Sequence, residues 1–316
     1  MGILIGIDGG GTHSTAAAAW PDGRIAARCE GGGLNFHNVG VDTVRSRLEE
    51  MARTLSDASG AEIDELCAGM SALDFPADEE TTALFTGGLF TREMLDLQSD
   101  AYAALIGLTQ GRPGVIVICG TGSMLVCLDQ QGRQHASGGW GYLLGDAGSS
   151  YTLAREALLR AIDQFEGLAS KTALAQDALG YFGAKEPRKL IDCIYPLPPE
   201  KVAGFAKHVL IRAAEGEEAA LEIVSRNMRR LALQAAQLVK THPESRLVGL
   251  YGGVFEHNEL ARRLFGEELR RLSPEAEICS PDYPPELGAL IHLFQKRGAL
   301  TPEVLENLKS SYYKES

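Results

Sequence analysis

The pattern of apolar and polar positions at the start of the chain predicts a β-hairpin. An apolar run at residues 3–7 ends in Asp8 and three glycines, and a second run of small residues follows at 15–20. After it, Pro21 and Gly23 take the second and fourth positions of a four-residue segment, which suits a type I turn. We therefore predict two strands joined by a glycine loop, with a third strand beyond the turn.

Periodicity over the next eighty residues predicts alternating helices and strands. Residues 42–58 carry apolar or small side chains with a helical period, at Val44, Leu48, Met51, Ala52 and Leu55. The pattern then predicts a strand at 66–72, a short helix at 79–85, a strand at 94–98 and a helix that begins near Asp100.

The second half of the chain repeats this organisation. The segment "VIVICGTGSMLVCLDQQGRQHAS" (115–137) matches "ILIGIDGGGTHSTAAAAWPDGRIAA" (3–27) as strand, glycine loop, strand, turn and strand. A long helical region begins at Tyr151, and the pattern next predicts a strand at 247–251, a helix at 258–272, a strand at 276–279 and a helix at 286–296. Each half thus has the order β-β-β-α-β-α-β-α.

This repeat predicts an α/β protein of two domains, each with a mixed five-stranded sheet. We expect the first domain at 1–111 and the second at 112–316, with an all-helical insertion at about 150–240 and a last helix that can pack back on the first domain. Two such halves predict a cleft between them, with one glycine hairpin from each half facing it.

Composition narrows the classes of function. The 316 residues are 45% apolar and 23% charged, with a net charge of −12 and interspersed signs, which argues against a nucleic-acid partner or an anionic membrane surface. There is no apolar run of membrane-spanning length and no leader-like segment, so we expect a cytoplasmic protein. The six cysteines lack CxxC spacing and read as reduced core thiols, with a metal or cluster site as the alternative, and the histidines form no HExxH pattern.

The first glycine loop predicts a phosphate site of an unusual kind. It lacks the Lys of a Walker A loop and the third glycine of a dinucleotide fingerprint. Glycines leave backbone N–H groups accessible to phosphate oxygens, although they also suit plain tight hairpins. A carboxylate such as Asp8 beside a polyphosphate implies Mg²⁺, held through water, unless Asp8 only bonds its own turn.

Six motifs, in order, resemble one family along nearly the whole chain: "GIDGGGTHS" (6–14), "GLNFHNVG" (33–40), "SDAYAAL" (99–105), "ICGTGSM" (118–124), "GGWGYLLGDAGSSY" (138–151) and "LYGGVF" (250–255). The chain resembles the N-acetylglucosamine kinase branch of the BadF/BadG/BcrA/BcrD-type ATPases, within the actin, Hsp70 and sugar-kinase superfamily. The resemblance implies two actin-like (ribonuclease H-like) domains that use ATP and Mg²⁺, in a homodimer.

The resemblance also implies roles for individual residues. Asp100 is implied as the general base, and Asp8 as the carboxylate on the Mg²⁺ side. The implied ATP contacts are Gly10, Gly11, Thr12, Gly120, Thr121, Gly122, Gly252 and Gly253. The implied sugar contacts are Asn35, Asp100, Ser123, Gly139, Trp140, Gly141 and Asp146.

Structural interpretations of the same residues stay open. Asp100 opens a helix and suits an N-cap, although Ser99 can also cap and leave Asp100 available. Asn35 suits a turn, Trp140 a core aromatic and Asp146 a capping position.

The implied reaction is transfer of the ATP γ-phosphate to the 6-hydroxyl of N-acetylglucosamine, N-acetylmuramic acid, glucosamine or glucose. The wider family offers an alternative, an ATP-dependent activator of a CoA-ester dehydratase or reductase with an iron–sulfur cluster. Only Cys119 and Cys127 flank a hairpin strand, and no convincing set of cluster ligands accompanies them. The sequence therefore favours a kinase of a small amino sugar.

Overall fold

The computed structural model describes residues 2–314 and divides into two compact units. The first unit holds residues 2–114, 130–134 and 280–314, and the second holds Val115–Asp129 and His135–Cys279. The sequence predicted the second domain at 112–316, with a last helix that can pack back on the first domain, and the contacts group residues 280–314 with the first unit.

Each unit is built on a five-stranded sheet. The strands are β1 (Ile3–Gly9), β2 (His13–Ala19), β3 (Ile25–Gly32), β4 (Ile63–Met70), β5 (Leu95–Ser99), β6 (Gly114–Cys119), β7 (Ser123–Leu128), β8 (Gln134–Gly138), β9 (Leu247–Tyr251) and β10 (Glu277–Cys279). The first sheet has the order β3-β2-β1-β4-β5 and the second the order β10-β9-β6-β7-β8. Both therefore run third-second-first-fourth-fifth, and the predicted internal repeat and mixed sheets are confirmed.

Helices cover the sheets. They are α1 (Phe36–Val39), α2 (Val41–Ser59), α3 (Glu79–Ala83), α4 (Asp100–Thr109), α5 (Gly141–Leu144), α6 (Ser150–Phe165), α7 (Ala173–Phe182), α8 (Leu190–Ile194), α9 (Pro199–Ala203), α10 (Ala206–Ala214), α11 (Glu218–Thr241), α12 (Gly253–Glu256), α13 (Glu259–Leu272), α14 (Pro285–Lys296) and α15 (Pro302–Tyr312). None of the helices within residues 2–314 is long and apolar enough to cross a membrane.

The first unit places strand ends and helix starts close together. Within it, β1 pairs antiparallel with β2 and parallel with β4, and β4 pairs parallel with β5. The apolar side chains of β1 are fully buried, as a central strand covered on both faces requires. Helices α4 and α14 pack against each other, and α14 also lies on β1. The carboxyl ends of the parallel strands and the first turns of both helices thus belong to one region.

The helical insertion of the second unit spans α6 to α11 and has its own apolar core. The amphipathic helix α11 buries Ala220, Val224, Leu231 and Ala235 and packs against α6, α10 and α13. This insertion joins the strands of the second sheet in one continuous hydrophobic cluster. It positions the start of α6 beside the second glycine loop.

Candidate active site

The first glycine loop joins β1 and β2 as predicted, and its backbone is fixed by neighbours on both sides. The Leu34 N–H donates to the Gly10 carbonyl and the Ser71 N–H to the Gly9 carbonyl, each at 2.9 Å. Gly11 and Thr12, at the tip, are exposed. The loop therefore has a fixed base and an accessible tip, as binding of phosphate oxygens by backbone N–H groups and a hydroxyl requires.

Asp8 lies at the end of β1, next to this loop. Burial, followed by the nearby negative charges of Glu286 and Asp100, raises the pKa of its carboxyl from 3.8 to about 7. Three acidic side chains thus compete for protons beside a predicted phosphate site. A divalent cation relieves such repulsion, and Mg²⁺ prefers carboxylate and water oxygens, so the residues present fit the predicted Mg²⁺.

Asp100 occupies the first position of α4. Ser99 caps the helix, because its Oγ accepts the Tyr102 N–H at 3.1 Å, while the Asp100 carboxylate accepts the adjacent Ala101 N–H at 2.7 Å and its own backbone N–H. Burial raises the pKa of Asp100 and the charge of Asp74 adds to this, against the lowering effect of the Ala101 N–H. Ser99 therefore satisfies the cap and leaves Asp100 with an increased proton affinity.

The close approach of α4 to the sheet depends on Gly69 near the end of β4. A Cβ at residue 69 would lie 2.8 Å from the Ala103 Cβ and 3.2 Å from the Asp100 Cα. A side chain there would push the helix and Asp100 away from β1.

Glu286 is a site residue that the sequence did not reveal. It lies in the first turn of α14, is 4% exposed, and accepts a hydrogen bond from the Tyr312 hydroxyl. Its charge acts on Asp8, 278 positions earlier in the chain. The signal available in the sequence was an acidic residue at the start of the helix that ends the second repeat.

Asn35 adopts the turn role that had remained open. Its Oδ1 accepts the His37 N–H at 3.1 Å as the N-cap of α1, and its Nδ2 donates to the Ser71 carbonyl at 3.3 Å. Ser71 in turn holds the phosphate loop through Gly9. Asn35 therefore belongs to the network around the first loop, and any substrate contact would use its remaining hydrogen-bonding capacity.

The second glycine loop, 120–122, is joined to the start of α6. The Ser150 N–H donates to the Gly120 carbonyl at 2.8 Å and the Tyr151 N–H to the Thr121 carbonyl at 3.3 Å. Gly252 also lies against this strand end, with a φ of +95° and its missing Cβ only 2.7 Å from the Cys119 carbonyl oxygen. Only glycine fits there, so the paired glycines bring the end of β9 to the base of the loop.

A pocket of about 480 Å³ opens beside these glycines in the second unit. It contains Ser150 from α6 and Gly253 from α12. Its remaining wall comes from α9, α10 and the segment before α13, through Ala203, Gly204, Ala206, Lys207, Leu210, Ile211, Val254, His257 and Asn258. The apolar residues and the exposed glycine backbone suit a flat base, and the adjoining loop suits its phosphates.

The segment 139–146 combines an exposed aromatic side chain with a carboxylate that backbone N–H groups hold in place. Asp146 has a φ of +59°, and its carboxylate accepts the backbone N–H groups of Ser123 and Gly141, which lower its pKa against the larger raising effect of burial. Ser149 caps α6, so Asp146 does not. Trp140 is 72% exposed and is not a core residue.

Ser123 is less available than the sequence suggested. Its hydroxyl donates to the Ala147 carbonyl at 2.8 Å and is buried. The two cysteines considered for a cluster are also buried: the Cys119 Sγ donates to the Gly148 carbonyl at 3.0 Å, and burial raises the pKa of Cys127 to about 11. Neither thiol is displayed as a ligand for a surface cluster.

Comparisons with known proteins point to one family. The sequence profile of the BadF/BadG/BcrA/BcrD ATPase family matches residues 5–292. An N-acetyl-D-glucosamine kinase from Dictyostelium discoideum is 27% identical, over 92% of this chain and 97% of the relative. An N-acetylmuramic acid/N-acetylglucosamine kinase from Clostridium acetobutylicum is 26% identical, over 92% of this chain and 98% of the relative. A solved structure from Chromobacterium violaceum, provisionally named an N-acetylglucosamine kinase, superimposes with a TM-score of 0.73 at 25% identity, over 93% of this chain and 99% of that one.

Proposed function

We propose that this chain, which belongs to the BadF/BadG/BcrA/BcrD ATPase family, is an ATP-dependent kinase of N-acetylglucosamine or a related amino sugar such as N-acetylmuramic acid or glucosamine. The reaction moves the γ-phosphoryl group of ATP to the 6-hydroxyl of the sugar. Relatives that align over nearly their full length support the substrate class, and the two glycine loops support the nucleotide.

The single observation that carries the mechanism is the state of Asp100. Its carboxyl opens α4, is not consumed by capping, and has a pKa raised by burial. We assign it as the base that takes the proton of the 6-hydroxyl while that oxygen bonds to the γ-phosphorus and the bond to the ADP oxygen breaks. Phosphoryl transfer depends mainly on positioning and charge neutralisation, so one base, two phosphate loops and the Mg²⁺ that Asp8 would hold suffice.

The two glycine loops and the pocket beside Gly253 support the assignment of the nucleotide contacts. Thr12, Thr121 and the glycines beside them donate to phosphate oxygens, and the pocket at Gly253 takes the adenosine. Mg²⁺, when bound on the side of Asp8, neutralises phosphate charge. Asp8 is then ionised, although in the free protein its pKa lies near neutrality.

The sugar side is assigned to Asn35, Ser123, Asp146 and the backbone at 139–141. Trp140, being exposed, offers a flat face for the apolar side of a pyranose. The carboxylate of Asp146 already accepts two backbone N–H groups, and its remaining lone pairs can accept sugar hydroxyls.

The test is Asp100→Asn, with Asp57→Asn on the exposed face of α2 as the matched control. We expect Asp100→Asn to fold and to bind N-acetylglucosamine and ATP with near-normal dissociation constants, while kcat falls by roughly 10²–10⁴-fold. Asp57→Asn should keep normal kinetics. Two-dimensional NMR of the product distinguishes phosphate at the 6-hydroxyl from phosphate elsewhere.

Acceptor specificity is measured with the wild-type protein on N-acetylglucosamine, N-acetylmuramic acid, glucosamine and glucose. Normal turnover by Asp100→Asn would remove the base assignment, and ATP hydrolysis without phosphorylation of any of the four sugars would remove the kinase assignment. The homodimer stays a prediction, which light scattering on the purified protein tests.

A further inference from the structure

A second group of chemically capable side chains lies at the far end of β7. Asp129 follows that strand, His135 lies at the start of β8, and His242 ends α11. The Asp129 side chain is 1% exposed, and its Oδ2 lies 2.9 Å from the His135 Nε2. The two imidazole rings stack with their centroids 4.0 Å apart at 29°, and one ligating atom from each of the three residues lies within 4.8 Å of the others.

We propose that Asp129, His135 and His242 bind one divalent transition-metal ion, with Zn²⁺ as the ion that the donor set favours. Two imidazole nitrogens and one carboxylate oxygen suit zinc and its neighbours, whereas Mg²⁺ and Ca²⁺ prefer oxygen ligands alone. The oxygen and nitrogen of Asp129 and His135 are already as close as two ligands of one ion. Rotation of the His242 ring brings its nitrogen to the same centre, and water completes the coordination.

The backbone around His242 also favours a cation. His242 is the C-cap of the 24-residue helix α11, and its own N–H donates to the Leu238 carbonyl. The last carbonyl groups of a helix give its carboxyl end a partial negative charge, which stabilises a nearby cation. A buried carboxylate and a helix carboxyl end therefore act in the same direction on this cluster.

Among the described residues, Cys67, Asp96 and His292 form a further group with a metal-like composition. The Asp96 carboxylate already receives the Lys296 ammonium at 2.9 Å and the His292 Nε2 at 3.1 Å. Burial raises its pKa, but the hydrogen bonds and positive charges around it dominate and hold that pKa well below its usual range. A metal ion would have to displace this ammonium, so we assign that group to an internal ion-pair network.

The Asp129 site is separate from the proposed reaction. Strand β7 has six residues, so at roughly 3.3 Å per residue its end lies about 20 Å from the glycine loop at its start. The ion would connect the β7–β8 hairpin with the end of α11, which is a structural effect. The inference does not rest on the kinase assignment.

The experiment titrates chelator-treated, full-length protein with Co²⁺ and follows its visible absorption, with Zn²⁺ added as the competitor. We expect saturation at one equivalent and displacement by Zn²⁺. His135→Gln and His242→Gln should each weaken binding by at least about tenfold, because each removes one of three ligands, while His37→Gln, an exposed histidine of the first unit, should bind as wild type.

Two further measurements keep the proposal testable if a variant folds poorly. Zn²⁺ should raise the melting temperature of the wild-type protein and not that of His242→Gln. X-ray absorption of the zinc-loaded wild-type protein should show nitrogen and oxygen neighbours only. Sulfur in the coordination shell would place the ion at Cys67 instead, and absence of stoichiometric binding, or binding unaffected by both histidine substitutions, would also overturn the proposal.

Discussion

Replacing Asp8 by Asn should stabilise the free protein at alkaline pH while removing its dependence on Mg²⁺. In the folded chain the pKa of Asp8 is raised from 3.8 to about 7, mainly by burial and then by the charges of Glu286 and Asp100. Above pH 7 the folded state must therefore hold a carboxylate in surroundings that disfavour its charge. Asparagine has nearly the same shape and no charge to hold.

The sign and size of this change in stability follow from the pKa values of Asp8 in the unfolded and the folded states. Because the folded pKa is raised, the favourable contribution of Asp8 is fully present below pH 3.8 and is lost as the pH rises through about 7. The two values differ by about three pH units at about 1.4 kcal/mol each, so the loss approaches about 4 kcal/mol by pH 8. Solvent near the exposed loop screens part of this, which makes the figure a ceiling.

The assay is denaturant unfolding of the metal-free protein at pH 5 and pH 8, with Asp57→Asn as the control. We expect Asp8→Asn to exceed wild type by up to about 4 kcal/mol in free energy of unfolding at pH 8, and by much less at pH 5. Asp57→Asn should follow wild type at both. Equal stabilities of Asp8→Asn and wild type at pH 8 would show that burial and the neighbouring carboxylates do not raise the pKa of Asp8 as argued.

The same substitution has an opposite effect on function. Mg²⁺ should raise the melting temperature of the wild-type protein with ATP at pH 8, because the ion binds only the folded state. Asp8→Asn should lose that rise and most of its turnover. A variant that is more stable and less active would identify Asp8 as a residue kept for its charge.

Two further predictions concern the nucleotide and sugar residues. Gly252→Ala should raise the KM for ATP and lower the free energy of unfolding by about 1–3 kcal/mol, because residue 252 has a positive φ and its Cβ would collide with the Cys119 carbonyl. Steady-state kinetics and thermal unfolding measure the two effects. An unchanged KM for ATP would exclude Gly252 from the nucleotide site. Trp140→Ala should change the free energy of unfolding by less than about 0.5 kcal/mol, because the ring is exposed. It should raise the KM for the sugar and leave the KM for ATP nearly unchanged. An unchanged KM for the sugar would show that Trp140 is not part of the sugar site.

Much of the fold could be predicted because its signals are local. The apolar runs of β1 and β6, the glycine loops and the helical period of α2 each lie within about twenty residues, and their repetition predicted the chain order of strands and helices in both halves, whereas the order of the strands within each sheet comes from the structure. Strand β4 was predicted to begin at residue 66 but begins at Ile63. Glu65 in this strand is buried, which the fold tolerates because its carboxylate accepts hydrogen bonds from the Lys296 ammonium at 2.7 Å and the Arg297 guanidinium at 2.9 Å. A strand position filled by a charge whose partners lie 231 and 232 residues away cannot be distinguished from a loop in the sequence.

The residues of the candidate site likewise divide into those with a local signal in the sequence and those that depend on distant contacts. Asp8 and Asp100 stand beside local signals, a glycine loop and a helix start, and were predicted. Asn35 was predicted from its motif, but its bond to Ser71 required the packing of β4 against the loop. The pairing of His135 with His242 has no signal in sequence spacing, since the two lie on different elements more than a hundred residues apart.

The repeat also explains why the acidic residues gather in one unit. Asp8 and Cys119 hold equivalent positions directly before the two glycine loops, and a thiol buried against Gly148 stands at residue 119 where the first loop has a carboxyl group. Helices α4 and α14 are likewise equivalent, each following the fifth strand of its half, and each carries an acid in its first turn, Asp100 and Glu286. Because α14 packs on β1 and α4, both acids converge on Asp8. Two copies of one motif thus place three carboxylates beside the first loop, whereas Asp146, whose carboxylate accepts the Ser123 N–H, lies beside the second. We therefore expect metal-dependent charge neutralisation in the first unit and nucleoside binding in the second.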